Sequence, residues 1–549
     1  MKNKDPQTLG LSPEQLQQLK QRIHERKLEE ADWRLIEGIL ETVEFLRNAV
    51  QKKTMAVKRL LRMLFGPRTE KSQAVLPATQ GPHSSASPDS PQGQESQGNS
   101  KHKGHGRNGA DEFQGAAKVQ VAHADLKSGD RCPKCPKGKL YSLKNPALLI
   151  HFLSGPPVSA TLYECQRLRC NSCGQVFTAE APQEVSAKKY DESAGSMIAV
   201  LKYGHGFPFH RIEHLQEQLG VPLAASTQWE LVEQKADSIL PVYDLLVELA
   251  AQGEILYNDD TTMKILQYLG KRAERYEEQE APDKQKRSVF TTGIVSIVET
   301  HKIALFFTGK HHAGENLLEV LQKRQGGRSP PLQMCDALAR NLPGDFKVVL
   351  CNCLSHARRK FFELLDAFPQ ECQLVLEAFE SVYFTDEQAK KQNMNPQQRL
   401  SYHQVHSQPV MKGLEAWLHQ QIDERKVEPN SSLGEAINYM LDHWESLTRF
   451  LKVAGAPLDN NVCERALKRA ILHRKNAMFY KTQHGALVGD IYMSLIYTCT
   501  LGAANPVEYL TELERHAAQL ARDPGRWLPW TYKESLALHE GPAASADHA

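Results

Sequence analysis

Three acidic positions in this 549-residue chain stand where a carboxylate could do chemistry rather than only solvate a surface. Asp259 or its neighbour Asp260 ends the run EILYNDD, Asp336 ends PLQMCD, and Glu464 opens the basic stretch within LDNNVCERALKRAILHRKNAMF. Carboxylates drawn together from separate segments repel one another unless a cation stands between them, so such a cluster is expected to hold divalent metal. Oxygen ligands favour Mg²⁺, with Mn²⁺ as its usual substitute. Two ions roughly 3.5 to 4 Å apart would lower the pKa of an attacking water or 3′-hydroxyl and neutralise the leaving oxygen of a phosphodiester. The chemistry expected is phosphoryl transfer on nucleic acid.

The surroundings of Glu464 fit that expectation. From Glu464 to Lys481 the chain carries six Lys or Arg and no other acid. On a helical wheel Cys463, Ala466, Leu467, Ala470 and Ile471 fill one arc, and Glu464 borders it. Arg465, Lys468, Arg469 and Lys475 are then placed to meet phosphates. Arg474 falls in the apolar arc, so its contact with DNA requires the helix to end or bend before it. His356, Arg358 and Arg359, in CLSHARRKFF, form a second cluster expected to face phosphates. Spacing leaves another reading open, in which Asn461 caps the helix and Glu464, three residues on, completes a capping pair.

Cysteine usage suggests a second metal. Eleven Cys is an odd count at low density, which argues for reduced thiols. Cys132 with Cys135 and Cys170 with Cys173 form two Cys-x-x-Cys knuckles, each able to bring two thiolates to one tetrahedral ion, so structural Zn²⁺ is expected. Cys165 could substitute as a ligand, although a buried thiol is its simpler reading. The opening MKNKDPQTLGLSPEQ lacks the apolar segment of a secretory signal, and no apolar run reaches the roughly 18 to 20 residues of a membrane span. A cytoplasmic location is expected. The net charge of +2 decides nothing, because nucleic-acid binding depends on local patches.

The elements that must position these groups can be read from periodicity. Residues 1–70 are expected to be helical, with a possible coiled coil, and 71–115 a disordered linker rich in Ser, Gln, Gly and Pro. Residues 116–182 hold the knuckles. Residues 183–250 read as helix, Gly turn, helix, with Gly220 closing the first helix and Ser226 or Thr227 capping the second; a helix-turn-helix and an ordinary hairpin both fit. EILYNDD, SVFTTGIVSIVE, KIALFFTG, PLQMCD and FKVVLCNCL are strand-like and place a mixed sheet in 251–360. A helical insertion follows over 361–454, in which Leu433, Ile437, Leu441, Trp444, Leu447 and Leu451 mark one helix and MNPQQRLSYHQVHSQP reads as a polar connection. Residues 455–500 would return to the core with Glu464, and 501–549 form a helical tail.

These motifs, in this order, resemble one family. LDNNVCERALKRAILHRKNAMF, with its Asp-Asn-Asn-x-x-Glu-Arg core, is similar to the third-acid block of the insertion sequence 66 family of transposases. CLSHARRKFFELLD resembles that family's His-Ala-Arg-Arg-Lys-Phe segment, and YNDDTTMKIL its first-acid segment. SSLGEAINYMLDHWESLTRFL, the LFGPRTEK end of the N-terminal helices and the knuckles match as well. The resemblance implies an α/β multidomain protein with a ribonuclease-H-like mixed sheet interrupted by a helical insertion, a zinc ribbon and an N-terminal helical region. It also implies an Asp-Asp-Glu triad, carried over as Asp259, Asp336 and Glu464. Asp259 is preferred to Asp260 because the family's metal-binding acid directly precedes a second acid and a Thr.

The activity implied is binding of insertion-element ends and Mg²⁺-dependent strand cleavage and transfer by a bacterial, nucleoid-associated enzyme. Its partner would be double-stranded DNA, with a homo-oligomer assembled on it and possible accessory proteins. Two departures stand out: Ala337 follows the second acid where the family usually has Gly, and AMFYKTQHGALVGD replaces a usually small, Gly-rich segment. A DNA-binding regulator derived from a transposase, and a nuclease that only hydrolyses, are the alternatives.

Overall fold

The computed structural model describes residues 189–269 and 288–539 without interruption, together with 21–23, 32–33, 36, 128–130, 139–140, 155–169, 176–180 and 182. The expected zinc ligands Cys132, Cys135, Cys170 and Cys173, the linker and most of the N-terminal helical region lie outside the described residues. The chain forms two compact units, Arg68–Gly155 and the remainder. In the smaller unit the Gly129 N–H donates to the Leu140 carbonyl at 2.9 Å and the Leu140 N–H to that of Asp130 at 2.8 Å. In the larger one a short antiparallel ribbon pairs β1 (Arg167–Arg169) with β2 (Val176–Thr178). Cys165 lies just before it and is exposed, not buried.

The central sheet arises where β-branched and aromatic residues concentrate. Its strands are β3 (Ile255–Met263), β4 (Val289–Val298), β5 (His301–Gly309), β6 (Leu332–Cys335) and β7 (Val349–Asn352), in the order β5-β4-β3-β6-β7. β3, β4 and β5 are antiparallel neighbours, whereas β6 pairs parallel with β3 and with β7. All five expected strand runs are present, with one correction. β3 does not end at the acidic pair: it continues through Asp259 and Asp260 to Met263, because Thr261, Thr262 and Met263 keep pairing with Thr291, Phe290 and Val289.

The N-terminal approach to the sheet is helical. α1 (Glu192–Ala199) is capped by Asp191, which accepts from the Ser193 N–H at 2.8 Å. α2 (Phe209–Gln218) leads to Gly220, whose φ of 76° supplies the left-handed turn, and then to α3 (Ala225–Ala250). α3 begins one residue ahead of Ser226 and has Ala224 at its N-cap, so neither Ser226 nor Thr227 caps it. Its Leu231, Val232, Ile239, Val242 and Leu246 join the core.

After β5 comes α4 (Ala313–Leu321), and after β7 a run of helices: α5 (Leu354–Leu364), α6 (Pro369–Lys391), α7 (Pro396–His406), α8 (Gln408–Asp423), α9 (Ser432–Asp442) and α10 (Trp444–Leu447). Two expectations are corrected here. The polar stretch after Met394 is a helix, α7, because Asn395 accepts from the Gln398 N–H and the Gln398 side chain accepts from the Asn395 N–H. The apolar stripe from Leu433 to Leu451 is not one helix: α9 stops at Asp442, and α10 and a 3₁₀ turn at Arg449–Leu451 carry the remainder. Asp386 ties α6 to α7 through Arg399 at 2.7 Å, and Arg399 also donates to the Ala456 carbonyl at 2.9 Å.

The chain then returns to the sheet as α11 (Asn461–Ala477) and α12 (Gln483–Leu501), followed by α13 (Pro506–Arg515), α14 (Ala517–Arg522) and α15 (Tyr532–His539). α12 covers the open edge of β5. Residues one helical turn apart accept successive edge donors: Thr498 from the Ala304 N–H at 3.1 Å, Ser494 from Phe306 at 2.9 Å and Asp490 from Thr308 at 2.6 Å. An otherwise unpaired strand edge is thereby satisfied without another strand. Among the described residues no helix is long and apolar enough to cross a membrane.

Candidate active site

β3 supplies two adjacent acids with different surroundings. Asp260 accepts from Arg340 Nη2 at 3.0 Å and from the Ala313 N–H at the head of α4 at 3.4 Å. Asp259 accepts only the Asp260 N–H, at 2.8 Å, and meets no cation among the described residues. Burial pushes the Asp259 carboxyl up to about 7, and the negative charges of Asp336, Asp260 and Glu464 add to that effect.

Asp336 comes directly after β6, the parallel neighbour of β3. One of its oxygens accepts from the Leu338 N–H at 3.1 Å and from the Asn341 side-chain amide. Asn341 belongs to a buried network: its carbonyl accepts from Asn258 Nδ2 at 2.8 Å and from Gln333 Nε2 at 2.7 Å. Gln333 also donates to Asn258 Oδ1 at 2.9 Å. This network ties the turn that carries Asp336 to the strand that carries Asp259, although Gln333 Oε1 and Asn341 Oδ1 are buried in it without a donor.

Glu464 stands in the first turn of α11, which lies on β3 and β4. Gly293, the β4 residue opposite Asp259, makes this docking possible. A Cβ there would come within 3.0 Å of Leu467 Cδ2, and Cys463 Sγ donates to the Gly293 carbonyl at 3.2 Å. The helix start is anchored by Asn460, whose N–H donates to Cys353 Sγ at 3.2 Å and whose side-chain amide donates to the Asn258 carbonyl at 3.1 Å.

The capping reading of Glu464 is overturned by this arrangement. The helix begins at Asn461, the N-cap is Asn460, and no side-chain cap bond forms. Glu464 Oε1 is instead buried without a hydrogen-bond donor, and the closest cationic candidate is His356 Nε2 at 3.7 Å. Cys353, His356 and Glu464 offer ligand atoms within 4.8 Å of one another. Burial pushes the Cys353 thiol up to about 11, so it stays protonated and suits a hard cation poorly. The oxygens of Asp259, Asp336 and Glu464 are the better donors for Mg²⁺, although among the described residues only the Cys353 group meets that 4.8 Å spacing. Asp259 without a cation partner and Glu464 Oε1 without a donor, both among the described residues, are what a bound cation would correct.

The basic residues fall into two groups. Arg465, Lys468, Lys475 and Arg359 are exposed, and Arg358 is half-buried with its guanidinium 5.5 Å from the Phe362 ring. Arg469 and Arg474 are engaged within the protein. Arg469 donates to the Gly204 carbonyl at 2.9 Å and lies 4.8 Å from the Tyr497 ring. α11 neither ends nor bends before Arg474, the condition for its contact with DNA. Its Nη1 reaches back to the end of β3, donating to Thr261 Oγ1 at 2.9 Å and Thr262 Oγ1 at 2.7 Å. Both act as clamps that hold α11 in place.

Sequence reasoning missed Cys353, Asn341, Arg340 and Asn460 as neighbours of the acids. Asn460 lay within the quoted Asp-Asn-Asn run. Arg340 and Asn341 follow closely after Asp336, and Cys353 opens CLSHARRKFF, but no local spacing marks their contacts with the acids.

The family model described as Transposase IS66 family matches residues 188–487, more than half of the chain and the whole span from α1 into α12. The chain is 25% identical over 406 residues to uncharacterized protein y4hP of Sinorhizobium fredii (strain NBRC 101917 / NGR234), covering 68% of each chain. It is 25% identical over 386 residues to uncharacterized protein y4jD of the same strain, covering 67% of this chain and 71% of the relative. The chain belongs to the IS66 family of transposases.

Proposed function

We propose that this transposase is of the Asp-Asp-Glu type, binding the ends of its element and carrying out metal-dependent DNA strand cleavage and transfer. The observation that carries the reading is a set of under-paired carboxylates: Asp259, without a cation partner among the described residues and pushed up to about 7 by burial with the charges of Asp336 and Glu464 adding to it, and Glu464 Oε1, which lacks a donor. The strand order β5-β4-β3-β6-β7, with Glu464 returned to β3 and β4 on α11, supports a ribonuclease-H-like core.

In this reading Asp259, Asp336 and Glu464 would hold Mg²⁺ or Mn²⁺, Asp259 and Asp336 binding one ion and Glu464 a second. When bound, the ions would activate water or a 3′-hydroxyl and stabilise the leaving oxygen. The chain's own residues orient the acids: the Asn258–Gln333–Asn341 network holds Asp336, and Gly293 and Asn460 seat Glu464. Lys468, Arg465, Lys475 and Arg359 contact phosphates, with His356 beside Glu464 nearest the reacting group. Residues 116–182, with Zn²⁺ on Cys132, Cys135, Cys170 and Cys173, and the helices of 183–250 recognise element ends. The assembly on DNA is a homo-oligomer.

The test is incubation of purified protein with labelled element-end DNA and Mg²⁺ or Mn²⁺, comparing the wild type with Asp259→Asn and Glu464→Gln. Joined products from the wild type alone are expected. Cut but unjoined DNA would indicate a hydrolytic nuclease, and retarded but intact DNA a binding regulator.

A further inference from the structure

α11 ends in an unusual way. Met478 has φ 68° and ψ −39°, and the Phe479 N–H donates across it to the Ala477 carbonyl at 2.9 Å. This is a γ-turn of the positive-φ form, rare and strained, and here its central residue is not glycine. The turn is clamped on both sides. The Met478 N–H donates to the Arg474 carbonyl at 2.8 Å, while Arg474 itself grips Thr261 and Thr262. The Tyr480 N–H donates to the Lys264 carbonyl, the Leu266 N–H to that of Tyr480, both at 2.9 Å, and the Gln267 N–H to that of Lys481 at 3.1 Å.

Such bracing holds two apolar side chains in water. Met478 is 66% exposed and Phe479 36% exposed. Lys264, Lys475 and Lys481 are exposed around them, and no acid lies between Glu464 and Lys481. A rigid apolar tip ringed by cations matches a phosphate-lined duplex that can be unstacked, since apolar wedges enter base steps while lysines hold the backbone.

Resting on the proposed DNA-cleaving function, we propose that Met478 and Phe479 form a wedge that enters duplex DNA and unstacks a base step at a fixed distance from the reacting phosphate. At about 1.5 Å per helical residue the tip lies roughly 20 Å along α11 from Glu464, near six base steps of about 3.4 Å. The occupant is thus the same duplex that reaches the acids.

The test compares binding of an intact short duplex with the same duplex carrying a central abasic site, at low salt with Zn²⁺ retained and no Mg²⁺ or Mn²⁺ added, to prevent cutting. Unstacking is already complete at an abasic site, so the wild type is expected to bind it about tenfold tighter than intact DNA. The variant Met478→Gly with Phe479→Ser keeps the turn, since glycine accepts positive φ, but removes the wedge. It should bind both duplexes equally, having lost the abasic preference, with a thermal melt no lower than the wild type's. Equal binding of the two duplexes by the wild type would overturn the wedge and leave the DNA reading standing. Binding of neither would overturn both. If the variant kept the abasic preference but lost self-association in sedimentation, the tip would be a contact between copies of this chain, and the proposal would fall.

Discussion

Arg340 donates to Asp260 at 3.0 Å, while Asp259, the preceding residue on the same strand, has no cation partner among the described residues. Neighbouring carboxylates are thus divided into one paired with a cation of the protein and one without such a partner among the described residues. Asp259→Asn is expected to reduce DNA strand cleavage by at least about a hundredfold, because a metal oxygen is lost from the transition state. Asp260→Asn should reduce it by less than about tenfold, since it removes a charge already paired with Arg340. Gel assays of labelled DNA check both, and the reverse order would assign the metal oxygen to Asp260.

Proton and metal compete for Asp259. Its carboxyl is raised to about 7 in the folded, metal-free protein, so below that pH a proton must leave before a cation can bind. Mn²⁺ affinity should therefore climb between about pH 6 and pH 7 and level off above it, by up to about tenfold per unit. Calorimetric titration at several pH values measures this. A flat profile would mean that Asp259 is not a ligand.

The two kinds of cation on α11 should separate in a salt titration. Lys468→Ala removes an exposed charge and should lower the slope of log affinity against log salt by about one while leaving the melt unchanged. Arg474→Ala breaks the clamp on Thr261 and Thr262, and its half-buried hydrogen bonds are worth about 1 to 2 kcal/mol. It should lower the melting temperature with little direct change in salt slope.

Asp490 makes stability depend on pH. Burial raises its carboxyl from 3.8 to about 7, with the Thr308 N–H and hydroxyl opposing the shift, each 2.6 Å away. A raised carboxyl favours the folded state when protonated, so its contribution is complete below the unfolded value of 3.8 and is lost as pH rises towards and through about 7. Asp490→Asn, a neutral near-isostere, should gain thermal stability relative to the wild type between about pH 5 and pH 8. A difference that does not change with pH would contradict this.

The five strands were legible because β3, β4 and β5 concentrate β-branched and aromatic residues, and β6 and β7 are short, largely apolar runs bounded by turn residues. The far end of β3 was not, since Asp-Asp-Thr-Thr reads as a strand stop when its pairing to β4 is unknown. The helix α7 carried its own signal in Asn395 and Gln398, but its polar composition masked it. At the candidate site, individual acids and the helix bearing Glu464 could be read locally. What distinguishes Asp259 from Asp260 is Arg340, a partner from another segment that no periodicity announces. Arg474 was assigned to the apolar arc by its angle, yet a long side chain can leave that arc and carry its charge to strand hydroxyls.

The most direct measurement is the number of Mn²⁺ ions bound per chain, by calorimetry at about pH 8, after the zinc content has been fixed. If Asp259, Asp336 and Glu464 gather around a metal pair, the wild type binds two, and Asp259→Asn, Asp336→Asn and Glu464→Gln each lose at least one while their melting curves remain cooperative. Unchanged stoichiometry and affinity in all three folded variants would contradict the account.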